Sequence, residues 1–400
     1  MAVETIYTTL LEVSILILVA DLVGVSLVRF GLPRVVGELL VGIALSPFAV
    51  GGLINAFFHV NLFAINDYLI FLTNLSVILL LFASGLEHGL STLREGGFYG
   101  VLAAVFGAVV PYVLVYYTLI MIGVDDAISS IIALSTTPTS LAVVAGVIER
   151  EGLRDLPSTK ALITAASIDD VVALIMLSLV LSTVNGSMGY SMWLKALGIV
   201  ALWVSIFLVS VILIPRILNR VGGGLIIYAA MVVLFGLVLL MTLLGFSEVI
   251  AAFIAGVAVA ESRYSARVDE LINALLVIFG SIFFISIGMQ LNPAYLVDPY
   301  VIVVGVVVSV VAMLGKVIGV YPFAYLRLRN SRDAIVASYG MIPRGEMGLV
   351  VASIALTSGL IDMGGYGVIV LMVLITTILG STIYRRGAMR LRSTQQLQRS

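Results

Sequence analysis

Thirteen apolar stretches run the length of the chain, at 6–28, 34–50, 67–85, 98–120, 126–148, 158–183, 193–218, 224–243, 247–260, 270–290, 300–325, 331–358 and 364–384. A helix needs about 20 apolar residues to cross a bilayer core, so the pattern predicts an all-α polytopic membrane protein with thirteen transmembrane helices. The second and ninth stretches are short. They are expected to be tilted, or broken by Pro47 and by the Gly245-Phe246-Ser247 turn. The first stretch follows Glu4 and lacks the basic leader and small-residue cleavage site of a signal peptide, so it is expected to be retained.

The basic residues test this count. Arg29, Arg34, Arg94, Arg150, Arg154, Lys160, Arg216, Arg220, Arg263, Arg267, Arg327, Arg329, Arg332, Arg385, Arg386, Arg390, Arg392 and Arg399 fall at one end of the thirteen spans. Only Lys195 falls at the other end, while Lys316 and Arg344 lie inside spans. Positive charge collects on the cytoplasmic side, so the N-terminus is expected outside and the C-terminus in the cytoplasm of a cell membrane.

Composition narrows the function. The 400 residues are 61% hydrophobic and 11% charged, with a mean hydropathy of +1.21, against about 25% charged in soluble domains. A soluble enzyme is excluded, and the spans leave no room for a soluble regulatory domain. The chain has no Cys and only His59 and His88, so thiol chemistry, disulfides and a histidine metal centre are not expected. A net charge of −1 predicts no nucleic-acid surface. No cofactor is implied, and lipid is the expected surrounding partner.

Two spans are unfit to be continuous helices. The fifth contains Ser135-Thr136-Thr137-Pro138-Thr139-Ser140, where Pro138 removes a backbone donor. The twelfth contains Gly340-Met341-Ile342-Pro343-Arg344-Gly345-Glu346. They are seven spans apart, so they cross in opposite directions. Spans 1–6 and 8–13 then form an inverted repeat joined by span 7, with two discontinuous crossing helices. Paired interruptions of this kind point to a transporter's site near the midplane.

Ionisable side chains within the spans cost roughly 2.5–3.5 kcal/mol each on insertion scales. Asp169 and Asp170 lie near the middle of span 6, Lys316 in span 11, and Arg344 and Glu346 in the second break. Adjacent helical residues point about 100° apart, so the two aspartates cannot share one partner. Lys316 neutralises one and leaves the other to a proton or a cation. Unwound carbonyls and the hydroxyls of Thr137, Thr139 and Ser140 add the oxygen ligands that a hard monovalent cation wants. Arg344 and Glu346 are read as compensating half-helix dipoles; being two apart, they are expected to pair elsewhere. Glu12, Asp21 and Glu38 are read as structural, and His88 as a solvated loop residue.

The hydroxyl-rich break, Ile168-Asp169-Asp170, Gly315-Lys316-Val317-Ile318-Gly319 and Pro343-Arg344-Gly345-Glu346-Met347-Gly348 resemble the monovalent cation/proton antiporter superfamily. The likeness is closest to the NapA-type Na+/H+ antiporters, and it extends to Pro33–Gly42, Phe82–Glu87 and Phe283–Gly288. It implies an elevator-like exchanger. Residues 1–93 and 221–292 would form a dimerising scaffold, 94–190 and 293–387 an ion-carrying core, 191–220 a linker and 388–400 a short tail. Asp170 would carry the transported Na+, Asp169 would pair with Lys316, and Thr137 and Ser140 would lie at the crossing. Pro138 departs from the NapA-type pattern and leaves the choice among Na+, Li+ and K+ open. A K+/H+ antiporter of the same architecture is the alternative. An intramembrane aspartyl protease needs aspartates on two facing helices, and a sodium-coupled solute symporter has no need of the Asp-Asp pair with Lys316.

Overall fold

The computed structural model describes residues 2–87, 89–184 and 190–397, and every regular element among them is helical. In chain order these are α1 (Ala2–Arg29), α2 (Arg34–Ala44), α3 (Val50–Phe58), α4 (Asp67–Glu87), α5 (Leu90–Met121), α6 (Asp126–Ser135), α7 (Leu141–Glu151) and α8 (Pro157–Val184). Then come α9 (Tyr190–Val221), α10 (Ile226–Leu243), α11 (Glu248–Ala260), α12 (Ser265–Gln290), α13 (Pro299–Leu328), α14 (Ser331–Gly340), α15 (Glu346–Thr357) and α16 (Met363–Leu397). Nine of the described helices are long and apolar enough to cross a membrane. The other four apolar stretches fall on short or interrupted helices: α2 with α3, α6 with α7, α11, and α14 with α15. His88 lies outside the described residues.

The stops and starts follow from local chemistry. The turn holding Pro47 parts α2 from α3, and Gly245, at φ 83°, turns the chain between α10 and α11. Side-chain oxygens accept the first free N–H groups of several helices. Asp125 caps α6 through Ala127 N at 2.9 Å, Asp298 caps α13 through Tyr300 N at 2.8 Å, and Asn330 caps α14 through Arg332 N at 2.9 Å. Helix α11 is buried on every side from Val249 to Val259, as expected of a helix that is apolar all round.

The chain forms two compact units. One comprises Met1–Ile65, Glu95–Ala173 and Phe284–Ser400, and the other Asn66–Arg94 and Leu174–Phe283. Each contains a glycine-to-glycine helix contact. In the first, a Cβ on Gly42 of α2 would overlap the Ile285 carbonyl of α12, and Gly288 approaches Leu39 and Ile43 as closely. In the second, a Cβ on Gly85 of α4 would overlap the Phe253 carbonyl of α11, and one on Gly256 the Phe82 carbonyl. These are contacts of spans 2 with 10 and of 9 with 3. An inverted repeat offset by seven spans exchanges those two pairs. The glycines let backbones meet where lipid tails give no hydrophobic advantage to helix association.

Gly42→Val and Gly256→Val are therefore expected to destabilise the folded protein, by about 1–3 kcal/mol each from overpacking. Gly236→Val, on an α10 face with nothing within 4 Å of a Cβ, serves as the control. Melting temperatures in detergent check this; equal shifts for all three would show that the glycine contacts carry no special weight.

Candidate functional site

Both helix breaks, α8, α13 and α16 bring the site together within the first unit. The hydroxyl-rich run divides into two parts by what each side chain does. Ser135, Thr136 and Thr137 turn back and donate to the carbonyls of Ile132, Leu134's neighbour Ala133, and Leu134, at 2.7, 2.6 and 2.9 Å. They satisfy the last carbonyls of α6, which a helix end leaves without partners. Thr139 and Ser140 remain for the crossing.

Aligning Pro138 with Pro343 brings the two breaks into register. Helix α6 ends at Ser135 and α14 at Gly340; α7 begins at Leu141 and α15 at Glu346. The two breaks also exchange hydrogen bonds at the prolines. Ser140 N donates to Pro343 O at 2.9 Å, and Arg344 Nη1 donates to Pro138 O at 2.8 Å. Ser140 Oγ donates to Glu346 Oε2 at 2.8 Å. A Cβ on Gly345 would overlap the Ser140 side chain. Arg344 is completely buried, and its own carbonyl accepts from Thr377 Oγ1 of α16. Arg344 and Glu346 thus each bind a different part of the first break.

Lys316 of α13 and Asp169 of α8 form an ion pair at 2.7 Å, with neither side chain exposed. Asp169 Oδ2 accepts a second bond, from Thr139 Oγ1 at 2.7 Å, and the same hydroxyl lies 3.1 Å from Met341 O. Lys316 Nζ also donates to Thr137 O at 2.6 Å. One cation is therefore held between a carboxylate and an unwound carbonyl of the first break. Asp170, 5% exposed, is the next residue on α8 and also acts electrostatically on Lys316.

The sequence-derived residues meet here with two changes of role. Thr137 contributes its carbonyl to Lys316, because its hydroxyl caps α6. Thr139, through its hydroxyl, touches the paired aspartate. Thr377 carries no signal in sequence, since a threonine inside an apolar span commonly bonds within its own helix. The weaker acidic signals lie outside this cluster. Glu12 accepts from Ala64 N at 2.9 Å, and Asp21 pairs with Arg34 on the half-exposed flank of α1 and α2. Among the described residues no group of three His, Asp or Glu side chains is placed to hold a metal ion.

Replacing Arg344 by Gln removes a completely buried guanidinium that donates to the Pro138 carbonyl. The expected cost is about 2 kcal/mol, read as a lower melting temperature in detergent, with a smaller effect on apparent cation affinity. Glu346→Gln should behave alike. An unchanged melting temperature with a large affinity shift would mean that these residues touch the ion.

Comparison with known proteins agrees with the geometry. Residues 14–386 match the family described as sodium/hydrogen exchanger, transmembrane. An Na+/H+ antiporter of Enterococcus hirae is 29% identical over 380 residues, covering 92% of this chain and 96% of that protein. The Na+/H+-K+ antiporter GerN of Bacillus cereus is 27% identical over 374 residues, covering 92% and 93%. The high-affinity Na+/H+ antiporter NhaS3 of Synechocystis is 30% identical over 323 residues, covering 76% and 68%. In fold, the chain is similar to the sodium proton antiporter MjNhaP1 of Methanocaldococcus jannaschii, with a TM-score of 0.75 at 15% identity over 97% of this chain and 99% of that one. With its crossed broken helices and a match that runs nearly end to end, this multi-pass membrane protein belongs to the sodium/hydrogen exchanger family.

Proposed function

We propose that the protein exchanges Na+ or Li+ for H+ across the cell membrane by an elevator-like alternating-access cycle. The observation that carries this reading is the buried Asp169–Lys316 pair with Asp170 beside it, at the crossing of two interrupted helices. Lys316 is bonded to Asp169, and Asp170 lies beside that pair. The second aspartate then takes a cation or a proton in turn, and a core that moves only when Asp170 is neutralised couples the two fluxes. Carbonyls and hydroxyls of the first break supply the further oxygen ligands for a transported monovalent ion. Names of relatives that include Na+/H+ exchange support the reading.

The same reading takes the thirteen apolar stretches as thirteen crossings, with the N-terminus outside and the C-terminus cytoplasmic. Residues 94–190 and 293–387 serve as the moving core and residues 1–93 and 221–292 as the scaffold of a homodimer. K+/H+ exchange is the second reading, favoured by one specific observation: the relative GerN is an Na+/H+-K+ antiporter. Hydrolysis by two aspartates does not fit, because Asp169 and Asp170 are adjacent on one helix and Asp169 is held by Lys316. The protein is accordingly read as a transporter with no enzymatic activity.

Asp170→Asn is expected to abolish cation/proton exchange in proteoliposomes while the protein still inserts and folds. Exchange at the wild-type rate by the folded variant would remove Asp170 from the role of carrier.

Cation binding at Asp170 displaces one proton, and it favours separation of Asp169 from Lys316, so a second proton exchanges on that pair. Strongly coupled groups titrate as a pair, so this proton belongs to both residues. Two protons in for one cation out moves net positive charge inward, and the transport should be electrogenic. Lys316→Gln removes the competition within the pair and should make the remaining exchange electroneutral. The measurement is Na+ uptake into proteoliposomes with and without a valinomycin-set potassium potential. Wild-type rates that ignore the potential would eliminate the two-proton cycle.

A further inference from the structure

One buried acid takes no part in the site at the helix crossing. Glu12 lies on the inward stripe of α1 formed by Thr9, Val13, Leu16 and Ala20, and it is completely buried. The segment that follows α3 folds over it. Asn55 shapes this segment by donating to Phe63 O at 2.7 Å and accepting from Leu62 N and Phe63 N at 3.0 Å each. Phe63 is buried beside it, and Ala64 N donates to Glu12 Oε1 at 2.9 Å. Glu12 Oε2 is enclosed with no hydrogen-bond partner among the described residues.

One neutral N–H is poor compensation for a buried negative charge. An ionised carboxylate out of water costs several kcal/mol unless a cation or several donors answer it, whereas the neutral acid costs far less. Among the described residues no cation bonds the second oxygen of Glu12. Residues 39–58 of α2, α3 and the turn between them carry none. On the covering segment, His59 and the following Asp67 are exposed. Along α1, the next acid, Asp21, is engaged with Arg34, nine residues from Glu12 and so about 13 Å along the helix. On α2, the acid Glu38 brings no positive charge toward Glu12.

We propose that Glu12 is a proton-binding site separate from the transported ions, which holds residues 60–65 closed over α1 only while it carries a proton. Loss of the proton brings a charge that must reach water, and the segment opens to hydrate it. A glutamine would make the same bond to Ala64 without the response, which is why the residue type matters. The closed form binds one proton more than the open form. The stability it gains from closure is present at low pH and is lost as pH rises.

Hydrogen exchange of residues 60–65 in detergent, corrected for intrinsic rates and followed from about pH 6 to about pH 9, tests this. In the wild type the protection factor should fall with rising pH, approaching about tenfold per pH unit once the proton is released. Glu12→Gln should keep its protection across the range, and Asp170→Asn should retain the wild-type fall. A flat wild-type profile, the same fall in Glu12→Gln, or its loss in Asp170→Asn would each overturn the proposal. Should Glu12→Gln not fold, the wild-type and Asp170→Asn profiles decide the matter by themselves.

Discussion

A helix interrupted inside a membrane exposes peptide groups where no water can bind them, and each must find a partner within the protein. That constraint organises the first unit. The hydroxyls of Ser135, Thr136 and Thr137 close the end of α6. The carbonyls of Pro138 and Pro343 are answered by Arg344 and by Ser140 N from the opposite break. Thr137 O is answered by Lys316. The groups that repair the backbone therefore also place the charges, and Lys316 reaches Asp169 because the same ammonium is needed at the broken end of α6.

The inverted repeat explains the framework, and departures from it explain the chemistry. Around the aligned prolines, Thr139 and Arg344 occupy equivalent positions, as do Ser140 and Gly345. In the first repeat Thr139 bonds the aspartate of α8. In the second, the Arg344 side chain bonds the Pro138 carbonyl of the first break, and its own carbonyl accepts from Thr377 on α16. One half thus contributes carboxylates and the other contributes a guanidinium that steadies the first half's unwound chain.

The glycine contacts belong to the same economy of space. Gly42 with Gly288 and Gly85 with Gly256 bring backbones together where any side chain would overlap a carbonyl. Close backbone approach gives van der Waals contact that apolar side chains in lipid cannot supply by hydrophobic burial alone.

Sequence alone determined the helical membrane class, the two breaks and the cast of charged residues, because hydropathy, proline and glycine act locally and a charge in an apolar run is visible wherever it lands. The presence of Arg344 and Glu346 at the second break was legible as well. The division of labour within Ser135–Ser140 was not. Six consecutive residues include five hydroxyls of similar chemistry, and only the point where α6 ends and the angle at which the second break crosses decide which of them cap and which face Asp169. Thr377 was hidden for a related reason, and Glu12, visible as an acid in a span, was read only as structural. A threonine in a span has a local explanation, and an acid in a span does not name its partner, until the tertiary structure sets a carbonyl against the first and folds a connecting segment over the second.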